Sequence, residues 1–308
     1  MPKAYVFGAN GGPEVEEFVE LPRPVALAGQ VLIAVRAAGV NPVDWKRRVG
    51  HRPPGTPPPP LPAVFGNEAA GVVVEVGPGV TEFQAGDEVF GNPLTGGYAE
   101  YTLLPEEVTA HKPPRLSFVD AATLPVAAAT AYDGVHQLAL PAGATLLITG
   151  AGGGVGVAAA QIARHAGLNV IGTASPAKRE FVESLGVVHV PYGPGARERI
   201  REIAPDGVDA VFDLVGGDAL TQAAEVVKDR RKLITAADRA AVALLGGEPV
   251  ARKRDRDVLD AVASLTVRGV LRPFVTATYP LEEAPAALRA VEEGHARGKI
   301  VIEVTPGG

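Results

Sequence analysis

The 308-residue chain holds 46% hydrophobic and 21% charged residues at a formal net charge of −6. It is long enough for two ordinary domains with buried cores and too apolar for a disordered chain. No basic block stands out, so nucleic acid is not an expected partner; arginines such as Arg197, Arg199 and Arg201 read as solvated helix faces. The absence of cysteine excludes disulfides and thiolate chemistry. The six histidines, His51, His111, His136, His165, His189 and His295, show no HxH or HExxH spacing, so no zinc site is expected.

The start, Met1-Pro2-Lys3-Ala4, has no charged-then-apolar signal pattern, and no apolar run approaches the roughly 20 residues that span a bilayer. A soluble, cytoplasmic protein is the expectation. Up to Leu116 the chain reads as β-rich. Val31-Leu32-Ile33-Ala34-Val35 and Gly71-Val72-Val73-Val74-Glu75-Val76 are β-branched runs between glycine and proline turn signals at Pro22, Pro24, Gly29, Gly77-Pro78-Gly79 and Gly86-Asp87. Pro53 to Pro62 contains seven prolines and reads as a stiff loop edging a cleft, or as a ligand for a proline-reading domain.

Beyond Leu116 short apolar strands alternate with helices. Thr145–Thr149 is a buried strand, followed by a helix over Val155–Ala166. Asn169–Thr173 is the next strand, then a helix over Ala177–Leu185, and Val208–Phe212 and Lys232–Ile234 are two more strands. This alternation predicts a mainly parallel sheet with right-handed crossovers. A helix around Leu281–Glu293 and a strand over Lys299–Val304 close the chain. The segment Ala236–Arg256, with Gly246-Gly247 and the run Arg252-Lys253-Arg254-Asp255-Arg256, resists assignment.

The strongest local signal is Gly150-Ala151-Gly152-Gly153-Gly154-Val155-Gly156, which reads as Ala151-x-Gly153-x-x-Gly156. It follows a predicted strand and opens a predicted helix, the context a dinucleotide fingerprint requires. Residues without side chains let the backbone approach a pyrophosphate, whose charge then lies on helix N-terminal N–H groups. The competing reading is a glycine-rich turn with no ligand. At the end of the second strand, where selection of NAD calls for Asp or Glu, the chain has Thr173-Ala174-Ser175, Lys178 and Arg179. A hydroxyl and two cations suit the 2′-phosphate of NADPH; alternatively Lys178 and Arg179 are a solvated first helical turn.

With that loop beside a β-rich N-terminal region, the chain resembles the medium-chain dehydrogenase/reductase superfamily, most of all its zinc-free quinone and enone oxidoreductase branch. The resemblance rests on Ala38-Gly39-Val40-Asn41-Pro42-Val43-Asp44-Trp45-Lys46-Arg47-Arg48, Gly66-Asn67-Glu68-Ala69-Ala70-Gly71, Gly86-Asp87-Glu88-Val89, Gly97-Tyr98-Ala99-Glu100-Tyr101, Phe212-Asp213 with Gly216-Gly217, and Gly298-Lys299-Ile300-Val301. It covers nearly the whole chain. Where zinc alcohol dehydrogenases of the superfamily carry Cys and His ligands, this chain has Val40 or Asn41 and Asn67, and the four-cysteine lobe has no counterpart.

The resemblance implies an α/β fold: a GroES-like β-rich substrate domain over 1–118 and 272–308, and a Rossmann-type doubly wound NADPH-binding domain over 119–271. It places the nicotinamide in the cleft, facing the β domain. Ala151, Gly153, Gly154, Val155 and Gly156 then cradle the pyrophosphate, and Ser175, Lys178, Arg179 and Tyr192 the 2′-phosphate, unless Tyr192 is a boundary tyrosine. Asn41 and Thr130 line the nicotinamide end, and Val215 and Gly216 pass beneath a ribose. Relatives are commonly homodimers. The implied reaction is hydride transfer to a quinone or an α,β-unsaturated ketone or aldehyde, with a donor required at the developing enolate oxygen.

Lys46 is the candidate donor; its alternative is a surface lysine in the basic run Lys46-Arg47-Arg48. Asn41 is a second candidate, or simply fixes the turn before Pro42. Tyr132 is a candidate proton source, against water or a structural helix tyrosine. Asp44 is read as orienting Lys46 or Arg48, or as structural, and Glu68 as structural. The alternative function is an NADPH-binding sensor or structural protein with little turnover.

Overall fold

The computed structural model describes residues 1–52, 55–294 and 297–305. Pro53 and Pro54 of the proline-rich stretch, His295 and residues 306–308 lie outside the described residues. In chain order the first strands are β1 (Lys3–Phe7), β2 (Glu16–Glu20) and β3 (Gln30–Val40), followed by helix α1 (Pro42–Arg48). Strands β4 (Ala63–Val64), β5 (Ala69–Val76), β6 (Glu88–Gly91), β7 (Tyr101–Pro105) and β8 (Thr109–His111) come next, then α2 (Phe118–Ala121) and α3 (Ala129–Leu138). From there strand and helix alternate: β9 (Thr145–Thr149), α4 (Gly154–His165), β10 (Asn169–Ala174), α5 (Arg179–Ser184), β11 (Val188–Pro191), α6 (Ala196–Ile203), β12 (Ala210–Asp213), α7 (Gly217–Ala224) and β13 (Leu233–Thr235). The chain ends with α8 (Arg239–Leu244), β14 (Glu248–Pro249), α9 (Arg256–Val267), β15 (Val275–Pro280), α10 (Ala284–Glu292) and β16 (Lys299–Glu303).

The chain forms two compact units. One comprises Met1–Val126, Arg254–Val267 and Val275–Gly308; the other comprises Ala127–Lys253 and Arg268–Phe274. The first is built on a sheet of order β15-β16-β3-β5-β6-β8, with β7 also paired to β3, and a small sheet β2-β1-β4. β3 is buried along almost its whole length, because β5, β7 and β16 all pair with it antiparallel. Its Ile33 and Val35 join Phe65, Val73, Tyr98, Leu104, Ile300 and Ile302 in one core. The segment Thr56–Pro60 is irregular and mostly exposed.

The second unit is a six-stranded parallel sheet of order β11-β10-β9-β12-β13-β14, with a core around Leu147, Ile171, Val190, Val211, Leu220 and Leu233. Short apolar strands buried on both faces, joined by helices, make this doubly wound arrangement. From β9 the chain proceeds to β10 on one side and later to β12 on the other, so strand order reverses between β9 and β12. At such a switch point the loops leaving the strand C-termini diverge and leave a crevice. No helix among the described residues is long and apolar enough to cross a membrane.

The unassigned segment Ala236–Arg256 contains α8 and β14. Asp238 caps α8, its Oδ1 accepting from Ala241 N–H at 3.0 Å. β14 is two residues long and ends in proline, which an edge strand tolerates. α9 groups with the β-rich unit, beyond the expected boundary, because Arg256 donates to the carbonyls of Thr109 and Glu106 at 3.1 and 3.0 Å and lies 5.1 Å from the Phe83 ring centroid.

Candidate functional site

In the parallel-sheet unit, β9 runs into the glycine loop and α4 begins at Gly154 with Gly153 as its N-cap. The first helical bond joins Val157 N–H to Gly153 O at 2.9 Å. The amides of Gly154, Val155 and Gly156 therefore lack an i−4 carbonyl within the helix and are available to an anion. Gly156 is required by packing: a Cβ there would stand 2.4 Å from Gly150 O and 2.7 Å from Ala151 Cα. Ala151 is buried, with its N–H on Thr173 O at 2.9 Å, which locks the loop to β10.

Across the switch point, Asp213 ends β12 fully buried. Its carboxylate accepts from Thr149 Oγ1 and Thr235 Oγ1, each at 2.6 Å, and so ties the C-terminal ends of β9, β12 and β13 together. It also accepts from the N–H groups of Val215 and Gly216 at 3.2 and 3.1 Å. That turn leaves Val215 57% exposed, and a Cβ on Gly150 would meet Val215 Cγ2 at 3.0 Å. The geometry brings Ala151, Gly153, Gly154, Val155, Gly156, Val215 and Gly216 to one edge of the sheet. The role of Asp213 was missed in the sequence; its signal was an acid closing an otherwise apolar strand.

At the end of β10, Ser175 caps a short 3-10 turn with no side-chain bond from its own hydroxyl to the turn. Lys178 is half-buried, and its Cδ would touch a Cβ on Gly152 at 2.7 Å, so its stem lies across the glycine loop. Arg179 is exposed and paired with Glu183 at 2.8 Å, an i,i+4 helix-surface contact. Tyr192 is 62% exposed and bonded through its N–H to Ala174 O at 3.2 Å. Thr130 is buried on α3, and Tyr132 is half-buried there, its ring 3.9 Å from that of His136.

In the β-rich unit several polar side chains around α1 are buried and hydrogen-bonded, whereas the Trp45 indole Nε1 is buried without a partner among the described residues. Glu68, fully buried, accepts through Oε1 from Asn41 Nδ2 and Lys299 Nζ, both at 2.7 Å, and through Oε2 from Val126 N–H at 2.8 Å. Lys299 Nζ also donates to Asn41 Oδ1 at 2.7 Å and Val40 O at 3.0 Å. Both ends of the Asn41 amide are thus engaged within the domain, where it stands as N-cap of α1. Gly39 admits this cluster: a Cβ there would fall 2.0 Å from Glu68 Oε1. Glycine-lysine near a chain end gave no hint in the sequence that Lys299 reaches Glu68.

Of the two readings of Asp44, orienting Lys46 or Arg48 and structural, the bonds among the described residues are those of the structural one. Asp44 Oδ2 accepts from Asn41 N–H at 2.8 Å and Tyr98 OH at 2.9 Å, and its Oδ1 from Asn67 Nδ2. Burial pushes its pKa up to about 6, despite these bonds, which pull it down. Burial and the Asp44 carboxylate drive Tyr98 well above the usual phenol range. Arg48 is not part of a surface basic run. It is 1% exposed, donating to Gly11 O, Glu16 and Glu292, because α1 packs that face inward against α10. Lys46 is half-buried, with its ammonium 5.7 Å from the Trp45 ring centroid and no carboxylate in ion-pair range among the described residues.

The places where a catalytic zinc would need thiolate and imidazole donors hold Asn41 and Asn67. Both are weak donors committed to other bonds, since Asn67 Oδ1 accepts from Arg47 at 3.1 Å while its Nδ2 serves Asp44. A lysine ammonium already sits within that cluster, and the residues present do not fit the metal.

A parallel sheet with a glycine-rich loop at its switch point, joined in sequence to a GroES-like β unit, is the arrangement of nicotinamide-dependent dehydrogenases and reductases. Residues 27–114 match the alcohol dehydrogenase GroES-like domain, and 185–302 match the zinc-binding dehydrogenase family. The chain is 35% identical to the NADPH-dependent alkenal/one oxidoreductase, chloroplastic, of Arabidopsis thaliana, over 99% of this chain and 80% of the relative. It is also 35% identical to the spectinabilin polyketide synthase system protein NorB of Streptomyces orinoci, covering 96% of this chain but only 14% of that much longer protein. Among solved structures, the quinone oxidoreductase from Coxiella burnetii superposes with a TM-score of 0.88 at 29% identity, over 99% of both chains. The chain belongs to the medium-chain dehydrogenase/reductase superfamily.

Proposed function

We propose that the protein is an NADPH-dependent reductase of conjugated carbonyl compounds, quinones or α,β-unsaturated ketones and aldehydes, that works without zinc and as a homodimer. The observation that carries the cofactor choice is Lys178 lying across the glycine loop, with Ser175 beside it and no acid at the end of β10. The alkenal/one oxidoreductase of Arabidopsis and the quinone oxidoreductase of Coxiella support the acceptor class. The likeness to the CurK enoyl reductase structure, with a TM-score of 0.86 at 28% identity, extends it to enoyl groups.

When bound, NADPH supplies a hydride to the β-carbon of the acceptor. The residues of this chain bind and polarise. The amides of Gly154, Val155 and Gly156 hold the pyrophosphate, Ser175, Lys178 and Tyr192 the 2′-phosphate, and Val215 and Gly216 the ribose. Arg179 adds positive charge from the outer face, while its Nε stays on Glu183. Asn41, with its amide engaged on both ends, sets the start of α1, and Thr130 on α3 is assigned to the nicotinamide end. Lys46 donates an N–H to the acceptor oxygen as negative charge grows there, the kind of placed donor that lowers such a barrier by a few kcal/mol. Tyr132 or water then delivers a proton to the α-carbon.

The test is oxidation of NADPH and NADH at 340 nm after chelator treatment, against 9,10-phenanthrenequinone, a benzoquinone, methyl vinyl ketone and trans-2-hexenal. The expected result is turnover with NADPH and little with NADH. Tight NADPH binding without turnover on any acceptor would favour the sensor reading instead, and loss of activity on chelation would overturn the zinc-free mechanism.

A further inference from the structure

Of Arg197, Arg199 and Arg201, expected on solvated helix faces, the first and third meet glutamate residues. Arg197 pairs with Glu198 and Glu225, and Arg201 reaches Glu225 O at 3.3 Å. Arg199 does not. It is half-buried and turns back over the start of its own helix, donating from Nη2 to Pro191 O at 2.7 Å and from Nη1 to Pro194 O at 3.2 Å. Its Nε is buried with no hydrogen-bond partner, and no carboxylate lies in ion-pair range among the described residues. A half-buried guanidinium bonded to carbonyls and to no carboxylate keeps its positive charge unpaired.

The two carbonyls bracket the turn from β11 to α6. Within that turn Gly193 and Gly195 adopt φ values of +96° and +77°, a conformation with little intrinsic preference over its alternatives. Backbone bonds from Ala196 N–H to Gly193 O at 3.1 Å and from Arg199 N–H to Gly195 O at 3.2 Å close the turn, and the Arg199 side chain adds a two-point clamp across it. The clamped turn presents the exposed Tyr192 and, through Tyr192 N–H on Ala174 O, abuts the end of β10 one residue before Ser175. Arg199 therefore fixes the backbone that carries Tyr192 beside Ser175.

We infer that Arg199 is a positioning residue for recognition of an adenosine 2′-phosphate, holding the Tyr192 turn in place and biasing it electrostatically toward a dianion. This rests on the NADPH reading above. The test is calorimetric titration of the full chain with adenosine 2′,5′-bisphosphate and with adenosine 5′-monophosphate, which differ by the 2′-phosphate alone. Arg199→Met is expected to weaken the bisphosphate about tenfold by loosening the turn that carries Tyr192. The monophosphate should stay within about twofold. Arg199→Lys, which keeps the charge, should recover part of the loss, and it carries the test if Arg199→Met fails to fold. Combined with Tyr192→Phe, the losses should be less than additive. Equal weakening of both ligands would reduce Arg199 to a structural residue and overturn the inference, as would an unchanged bisphosphate affinity. A wild-type protein that binds the two ligands equally would instead overturn the NADPH reading, and the inference with it.

Discussion

Lys46 and Asp44 stand two residues apart on one short helix and meet opposite environments. Lys46 flanks the Trp45 ring without an anionic partner, so its charge is available to an acceptor. Lys46→Ala should lower kcat/KM by about 10²–10³, the usual cost of deleting an oxyanion donor, with the NADPH dissociation constant unchanged. Steady-state kinetics beside a fluorescence titration would show this, and a parallel loss of cofactor binding would remove Lys46 from the chemistry. Asp44 is buried and its pKa is pushed up to about 6, above the roughly 3.9 of an unfolded chain. The folded state thus binds this proton more tightly. The stability it contributes is full below about pH 4 and is lost as pH rises through about 6, on the order of 3 kcal/mol in all. Asp44→Asn should flatten that slope, seen as the difference between wild-type and variant urea midpoints from pH 4 to 7. Parallel curves would mean that Asp44 ionises as freely as in solvent.

At the scale of elements, the parallel-sheet unit depends on how closely α4 approaches the loop that precedes it. Gly156→Ala places a methyl 2.4 Å from Gly150 O and 2.7 Å from Ala151 Cα. Both neighbours are backbone and cannot rotate away. The variant should weaken NADPH binding by about tenfold or more and lose about 1–3 kcal/mol of stability, as overpacked positions do. Thermal melts with and without NADPH separate the two effects. The loop, its helix and the flanking strands were legible because glycine spacing and apolar runs are local signals. α8 and β14 were not: a six-residue helix and a two-residue edge strand are too short for a period to emerge, and only neighbouring strands define them.

Over the whole molecule, the β-rich unit is closed by the end of the chain. β16 lies between β15 and β3, and it brings Lys299 to Glu68, 231 positions away in sequence. Lys299→Met should cost about 3–5 kcal/mol, because it strands a buried carboxylate. Adding Glu68→Gln should recover part of that loss. Chemical denaturation of the single and double variants measures the coupling, and simple additivity would show that the pair does not interact.

The sequence by itself determined the alternation of strands and helices, the glycine-rich turn between β9 and α4 and the lack of cysteine, since these depend on residue type and short-range spacing, while the superfamily was read from the resemblance of its motifs. Only the tertiary structure decided which charges are buried and whom they meet. Arg48 was indistinguishable from Lys46 and Arg47 in a basic run, yet it is sealed between Glu16 and Glu292. Arg199 was indistinguishable from Arg197 and Arg201, yet it clamps a turn. Asp44, Glu68 and Lys299 are likewise paired by strands and helices far apart in the chain. The free energy of a charge is set by its desolvation and by partners that long-range packing supplies, and neither is written in the neighbouring residues.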